Sequence, residues 1–280
     1  MPNNTNAEDM PAPTSRDAAT TPAPLTPELA IVIPVCNEAQ NLPALLRDWQ
    51  PIFISIGVPY RIILIDDGST DGSLDLLRSM QQSDPTLSVF TQKNAGHGPA
   101  ILKGYHLATG PAATNQAAAT IPPAATNPAT TDPNQPEWIF QIDSDHQLDT
   151  AAFIRLWANR KDYDLLIARR ADRKASKGRR WISRVSTYMV RVLYGKGVTD
   201  VNSPYRLMRS SLLRLALRKI PAGSFAPNIL LTSWFILGKR RIFTTVVDLR
   251  SDGLRQSRLN RYFLGGSIRS SIQTILFRIK

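Results

Sequence analysis

The chain has 280 residues, of which 42% are hydrophobic, and a formal net charge of +12. Its single cysteine excludes a disulfide framework and a cysteine-based metal site, and is typical of a reducing compartment. The longest apolar stretch, residues 229–237, is far shorter than the roughly 20 residues of a membrane span, so the sequence predicts that the chain does not cross a membrane.

Two tracts of biased composition lie in the first half of the chain. Residues 1–28 are rich in Pro, Ala, Thr and Asn and carry a net charge of −3, which predicts a disordered leader that is not a signal peptide. Residues 111–135 have the same composition and no charge before Asp132. We interpret this second tract as a low-complexity insertion between two elements of one domain.

Strands are predicted to alternate with helices between these tracts. Buried-type strands are predicted at 30–35, 60–65 and 87–90, and in the run that leads to Asp143. The predicted helices are 39–49, a helix capped by Ser69 that runs through Leu74, Leu77 and Met80, and 99–109. This alternation indicates βαβ units and an α/β fold with a mostly parallel sheet.

Polar or glycine-bearing loops follow three of these strands, at the edge where such sheets bind ligands. They are residues 66–69, the loop at 96–98, and the pair Asp143 and Asp145. Two carboxylates one residue apart can share a hard cation, and Mg²⁺ or Mn²⁺ held in this way keeps phosphate oxygens among its other ligands. The sequence therefore predicts a metal that binds a nucleotide diphosphate.

The second half of the chain is basic and amphipathic. A short strand at 164–168 runs into Arg169 and Arg170, and residues 155–219 carry eighteen Lys or Arg against four acids. Apolar stripes predict amphipathic helices at 181–193 and 262–279, which either pack on a core or lie in a membrane interface. The basic block is typical of proteins that bind nucleic acid, an anionic lipid surface or a phosphorylated substrate, or of a solvated face.

Four motifs stand in order along the chain: Ile31–Glu38, Ile63–Asp71, Asn94–Gly98 and Asp143–Asp145. Together they resemble the inverting family 2 glycosyltransferases. The resemblance implies a GT-A fold, which is a Rossmann-like, mostly parallel sheet flanked by helices. It implies one such domain over residues 29–258, followed by an amphipathic interface segment at 259–280.

Further motifs are Gln147, Arg179–Ser183, Asp200–Arg206 and Arg255–Arg258. They resemble the branch of the family that transfers a sugar to a polyprenyl phosphate, which includes dolichyl-phosphate mannose synthases and bacterial polyprenyl-phosphate glycosyltransferases. The Gln-x-x-Arg-Trp signature of processive polysaccharide synthases is missing, because Lys177 stands where its Gln would be. The resemblance implies a role in making cell-envelope glycans.

The resemblance also implies roles for individual residues. Those implied to bind the nucleotide sugar are Pro34, Asn37, Glu38, Asp66, Asp67, Asp143, Ser144, Gln147 and Arg255. Asp143 and Asp145 are the implied catalytic residues, and with Gln147 they hold the Mg²⁺ or Mn²⁺. Residues implied to bind the acceptor phosphate are Arg169, Arg179 and Ser183, and those implied to lie near the sugar are Asp200 and Arg206.

A phosphate acceptor agrees with the charge of the chain. A sugar hydroxyl needs a base to remove its proton, whereas a phosphate monoester is largely a dianion at neutral pH because its second pKa is about 6. Guanidinium groups pair bidentately with phosphate, which suits the arginines between 169 and 184. We therefore predict inverting transfer of a hexose from a nucleotide sugar, of the GDP-mannose or UDP-glucose type, to a polyprenyl phosphate without a dedicated base.

Such an acceptor predicts a cytoplasmic protein that is peripheral at the cytoplasmic face of the membrane. We expect it to contact anionic lipid headgroups directly or through a membrane partner subunit. One alternative is transfer to a hydroxyl of a glycan or other acceptor, with Asp200 or Asp149 as the base. A second alternative, a nucleic-acid-binding protein, leaves the acidic and glycine-bearing loops unexplained, so we expect no nucleic acid partner.

Overall fold

The computed structural model describes residues 27–110, 135–170 and 200–248, with the single residues Tyr188, Val192, Gln273, Ile275 and Phe277. Within this part of the chain, seven strands form one sheet in the order β3-β2-β1-β4-β6-β5-β7. The strands are β1 Leu29–Val35, β2 Tyr60–Asp67, β3 Leu87–Gln92, β4 Trp138–Gln141, β5 Leu165–Arg170, β6 Arg206–Arg209 and β7 Ile242–Val247. Strand β6 is antiparallel to β4 and β5, and the other pairings are parallel.

Helices flank the sheet and connect its parallel strands. Those with described bounds are α1 Leu42–Ser55, α2 Ser73–Ser83, α3 His97–Thr109, α4 Ala151–Asn159, α5 Ser210–Leu217 and α6 Pro227–Leu237. The predicted α/β architecture, a mostly parallel sheet flanked by helices as in the GT-A fold, is confirmed.

Both faces of the sheet are buried, because successive residues of its central strands are apolar and point to opposite sides. In β1, Ile31 and Ile33 belong to the core cluster that includes α1 and α4. Ala30 and Val32 belong to the cluster that includes α3, α5 and α6. Helix α3 lies very close to β1, since a Cβ added at Gly104 would be 2.4 Å from Val32 Cγ1. The sheet is therefore a rigid support for the loops at its carboxyl edge.

Three predicted boundaries in the first half are wrong, for local reasons. Helix α1 begins at Leu42 rather than 39, with a proline in its first turn. Ser69 does not cap α2, because its Oγ accepts the backbone N–H of Asn37 at 3.0 Å and the helix begins after Gly72. Strand β2 continues through Asp67, so both of its carboxylates belong to the strand.

Several predicted segments lie largely outside the described residues. These are the leader, the insertion at 111–135, the helix at 181–193 and the segment at 259–280. Within them, Tyr188 and Val192 are helical, four residues apart and exposed at 70% and 65%. Ile275 is also helical and exposed, whereas Phe277 packs against the core cluster with α3, α5 and α6.

Candidate active site

The residues that follow β1 and β2 are joined by hydrogen bonds from backbone N–H groups to side-chain oxygens. Pro34 is buried within β1, opposite a residue of β2. Asn37 has a positive φ of 56°, its N–H donates to Ser69 Oγ, and its Oδ1 accepts the Thr70 N–H at 2.8 Å. The Glu38 N–H donates to Ser73 Oγ at 2.9 Å. These contacts bring the predicted nucleotide-binding residues Asn37 and Glu38 to the edge where β2 ends.

The carboxylates of β2 are buried and bound to protein donors. Asp66 accepts the Thr91 hydroxyl at 2.9 Å and the Ser69 N–H at 3.2 Å. Asp67 is only 2% exposed, and its oxygens accept three N–H groups at 2.8–2.9 Å, namely those of Gln92 Nε2, Ala95 N and Gly96 N. The resemblance implies that these two carboxylates contact the base and ribose of the nucleotide, and that role stays a prediction. Asp67 joins the end of β2 to the loop after β3.

Asp143 and Asp145 follow β4 at the same edge of the sheet. Burial, and next the charge of Asp143, raise the pKa of Asp145 to about 6, while the Gln147 N–H that Asp145 Oδ1 accepts at 3.3 Å and the charge of Arg170 lower it. Ser144 between them is buried. His146 faces elsewhere, with its Nε2 3.0 Å from Asp48 Oδ2. Two carboxylates that destabilise each other's charge in this way are poised to bind a cation.

His97, which is not among the predicted site residues, lies against this pair. Its Nε2 is 3.4 Å from Asp143 Oδ1, although 57% of the His97 side chain is exposed. The pKa of His97 is raised, because desolvation is outweighed by the charge and hydrogen bond of Asp143 and by the charge of Asp145. The only signal in the sequence was a histidine between two glycines, where a strand-end loop passes into a helix.

Arg170, the last residue of β5, lies near Asp143 and Asp145. Its guanidinium donates to Asp200 at 3.2 Å. The pKa of Arg170 is raised, because desolvation is outweighed by Asp200 and also by Asp143 and Asp145. Arg169, the arginine implied by the resemblance, is exposed. The structure therefore adds Arg170 to the site, and the role of Arg169 in binding the acceptor phosphate stays a prediction.

Arg206 lies beneath the site and is fully buried. Its guanidinium donates five hydrogen bonds at 2.6–3.4 Å, to the carbonyls of Val201, Ser203 and Asn228 and to the Thr232 hydroxyl. These bonds use all its N–H groups and hold the turn that carries Asp200. The structure assigns Arg206 a supporting position, and its predicted contact with the sugar is untested.

A buried polar cluster adjoins Arg206. The Tyr105 hydroxyl is 2.6 Å from Gln141 Oε1 and 3.1 Å from Asn228 Oδ1. Burial raises the pKa of Tyr105, so it stays protonated at neutral pH. Because Gln141 ends β4, this cluster supports the backbone that leads to Asp143.

Three predicted site residues, Arg179, Ser183 and Arg255, lie outside the described residues and remain predictions. In the part of the chain that is described, no three His, Cys, Asp or Glu side chains form a metal cluster. Two carboxylates beside a diphosphate fit Mg²⁺ or Mn²⁺, since these ions take phosphate and water as their remaining ligands.

None of the described helices is long and apolar enough to span a membrane.

Residues 30–117 match the family model described as Glycosyl transferase family 2. Over these residues the chain is similar to the family 2 glycosyltransferases. It is 28% identical over 202 residues to the undecaprenyl-phosphate 4-deoxy-4-formamido-L-arabinose transferase of Pseudomonas aeruginosa, covering 71% of this chain and 52% of that protein. The chain thus spans about half the length of the curated relatives it matches.

Solved structures share the fold of this chain. Mannosyl-3-phosphoglycerate synthase from Rubrobacter xylanophilus matches with a TM-score of 0.60 and 10% identity, over 90% of this chain and 74% of that one. Glucosyl-3-phosphoglycerate synthase from Mycobacterium tuberculosis, solved with Mn²⁺ and UDP-glucose, matches with a TM-score of 0.53 and 16% identity, over 90% and 79%. At these identities the likeness concerns the fold.

Proposed function

We propose that the chain transfers a sugar, with inversion, from a nucleotide sugar to a polyprenyl phosphate at the cytoplasmic face of a membrane, assisted by Mg²⁺ or Mn²⁺. The donor is a hexose nucleotide of the GDP-mannose or UDP-glucose type. The observation that carries the proposal is the pair Asp143 and Asp145 at the carboxyl edge of the sheet, where the pKa of Asp145 is raised to about 6.

The donor side of the proposal rests on this pair and its neighbours. A divalent ion relieves the repulsion between two close carboxylates and supplies charge that neutralises a departing diphosphate. The loops that carry Asn37, Glu38 and Ser69 are joined by hydrogen bonds beside it. The fold neighbour from Mycobacterium tuberculosis, solved with Mn²⁺ and UDP-glucose, supports the same donor chemistry here.

The acceptor side rests on charge and on relatives. The name of the Pseudomonas relative gives undecaprenyl phosphate as its substrate, and we extend that acceptor class to this chain. Arg170 lies within electrostatic reach of Asp143 and Asp145, and Arg169 is exposed beside it. Both are at the end of β5, where arginines can pair with a phosphate that approaches the donor.

The proposed chemistry is a single in-line displacement. A phosphate oxygen of the lipid forms a bond to the anomeric carbon, while the bond from that carbon to the diphosphate oxygen breaks. The electron pair leaves with the nucleoside diphosphate, and inversion follows from attack on the opposite face. The nucleophile is already ionised at neutral pH, so the side chains position the reactants and remove no proton.

Placement at a membrane surface is supported by exposed apolar side chains. Tyr188 and Val192 present one helical face to solvent, and Ile275 and Phe225 are 42% and 41% exposed. The Phe225 N–H donates to Gln273 Oε1 at 3.1 Å, and Gln273 is helical, as is Ile275. The basic block at 155–219 adds electrostatic attraction, because each Lys or Arg near an anionic membrane surface contributes about 1 kcal/mol to binding. A membrane partner subunit would serve the same purpose.

Transfer to a hydroxyl is the alternative, and the contacts of its two candidate bases disfavour it. Asp200 accepts hydrogen bonds from Arg170, at 3.2 Å from Nε. Asp149 Oδ1 accepts the Ala151 N–H at 2.7 Å at the start of α4. Each carboxylate therefore has a structural task that competes with accepting a proton from a sugar.

The test is an extraction assay with purified protein, Mn²⁺ or Mg²⁺, a polyprenyl phosphate and a radiolabelled donor. UDP-glucose, GDP-mannose and a nucleotide-linked 4-deoxy-4-formamido-L-arabinose are compared. We expect label in the organic phase with UDP-glucose or GDP-mannose, abolished in Asp145→Ala and unchanged in the exposed control Asp162→Ala. Label from the arabinose nucleotide alone contradicts the hexose donor and leaves the lipid acceptor standing. Absence of lipid-linked label with every donor contradicts the proposal, and label on a soluble glycan instead supports the alternative.

A further inference from the structure

The loop at 94–98 is bound tightly to the end of β2. Asp67 accepts the backbone N–H groups of Ala95 and Gly96, both at 2.9 Å, and its carboxylate is almost inaccessible to solvent. Because a buried carboxylate is stable only when its oxygens are satisfied, this geometry is strongly favoured over alternatives in which the loop moves away. Asp67 therefore determines where α3 begins.

The other side of the loop is packed against the segment before α6. A Cβ added at Gly98 would be 2.1 Å from the Ser224 carbonyl oxygen and 2.6 Å from that of Phe225. The backbone at Gly98 is thus in contact with this segment and has no room to shift toward it. Between Asp67 on one side and residues 224–225 on the other, the first residue of α3 has a fixed position.

That first residue is His97, and its imidazole lies 3.4 Å from Asp143. Carboxylates that ligate metals are themselves held by hydrogen bonds from neighbouring groups, and removal of such a partner typically weakens metal binding 10–100-fold. Asp143 follows β4 in a loop, so its backbone alone does not fix the direction of its carboxylate.

We propose that His97 is a positioning residue: its Nε2 orients the Asp143 carboxylate for the metal, and Asp67 acts on the metal site through His97. This inference rests on the proposed function, because it presumes that Asp143 binds a divalent ion. It gives Asp67 a task different from contact with the ribose. It also links a carboxylate at the end of β2 with one that follows β4, two strands that are separated by β1, through a single side chain.

The test measures binding of Mn²⁺ by the free-ion signal in electron paramagnetic resonance, with and without UDP, on the full chain. We expect His97→Ala to raise the Kd for Mn²⁺ about tenfold or more, in line with the loss of a partner of a metal ligand. His97→Gln, which places an N–H donor near the position of Nε2, should restore most of the affinity. His106→Ala, a histidine near the other end of α3, is the matched control and should match the wild type.

The role of Asp67 is tested by a double-mutant cycle. If Asp67 acts through His97, Asp67→Asn weakens Mn²⁺ binding on its own but adds little to His97→Ala. If Asp67 instead contacts the ribose, Asp67→Asn weakens UDP binding without metal and the two effects add. The second result overturns this part of the inference.

Other outcomes separate this inference from the proposed function. Unchanged or tighter Mn²⁺ binding in His97→Ala overturns the positioning role while the proposed function stands. A wild-type protein that binds neither Mn²⁺ nor Mn²⁺ with UDP contradicts both. Circular dichroism of each variant identifies any loss of binding that comes from unfolding.

Discussion

Replacement of Asp145 by Asn is expected to stabilise the metal-free protein while it abolishes metal binding. Burial and the charge of Asp143 raise the pKa of Asp145 from 3.8 to about 6. At about 1.4 kcal/mol per pH unit, this rise corresponds to at most about 3 kcal/mol of folding free energy that the ionised carboxylate removes at neutral pH. Asn has a similar shape and no charge, so it avoids that loss.

The sign of the pH dependence follows from the raised pKa. The folded protein holds the Asp145 proton more tightly than the unfolded chain does, so the group favours folding at low pH. That contribution is full below about pH 4 and is lost as the pH rises through about 6. The advantage of Asp145→Asn should therefore be absent near pH 4 and fully present at pH 7.5.

Differential scanning fluorimetry at the two pH values, in the presence of a chelator, measures the difference in melting temperature between Asp145→Asn and the wild type. One kcal/mol shifts the melting temperature by about 2–4 °C in a domain of this size, so we expect a gain on the order of 5 °C at pH 7.5. Addition of Mn²⁺ with UDP should raise the melting temperature of the wild type and leave the variant unchanged. Asp162→Asn, at an exposed position, serves as the control for loss of a negative charge.

The reasoning is refuted if Asp145→Asn melts below the wild type at pH 7.5. It is also refuted if the variant's gain is the same at pH 4, because a pH-independent gain has a cause other than the carboxylate's proton. Stabilised variants of this kind are typical of functional sites, where the residues needed for chemistry oppose folding.

Three further predictions follow from the described contacts. Arg170→Gln should lower kcat/KM for polyprenyl phosphate more than tenfold, whereas Arg169→Gln should mainly raise KM for the lipid. Steady-state kinetics with a water-soluble short-chain acceptor measure both effects, and equal effects would contradict the distinction. Tyr105→Phe should destabilise the fold by about 1–3 kcal/mol in urea denaturation, because it leaves buried amide groups without a partner; an unchanged midpoint would contradict the role of the cluster. Phe225→Ser should lower the fraction of protein that floats with anionic vesicles but not the fraction that floats with neutral vesicles. Fractions identical to those of the wild type with both kinds of vesicle would argue against membrane contact at this surface.

The carboxylate pair could be found from the sequence because its signal is local. An apolar run followed by Asp143 and Asp145 indicates a buried strand and a polar edge whatever the rest of the chain does. The order of the motifs then indicated the fold and family, both of which the structure and the comparisons support.

Other features depend on contacts between distant residues and leave no local signal. Ser69 has the composition of a helix cap, but its hydroxyl is taken by a backbone N–H 32 residues away. Arg169 and Arg170 are adjacent and identical, and only the packing of β5 beside Asp200 distinguishes them. Strand β6 has four residues, too few for a periodic pattern, and the sequence analysis predicts no strand there.

The reversed direction of β6 has a consequence for how this fold can be altered. Strand β5 ends, and β6 begins, at the same edge of the sheet, because neighbouring antiparallel strands meet there. Arg170 and Asp200 close that junction through a hydrogen bond at 3.2 Å, so the described residues on either side of positions 171–199 are held together. A segment attached in this way can be exchanged for one of another length at a loop-closure cost of only about 0.6 kcal/mol per doubling. We therefore expect a chimera in which residues 171–199 are exchanged, with Arg170 and Asp200 kept, to retain the hydrogen bond that joins the two ends of the segment.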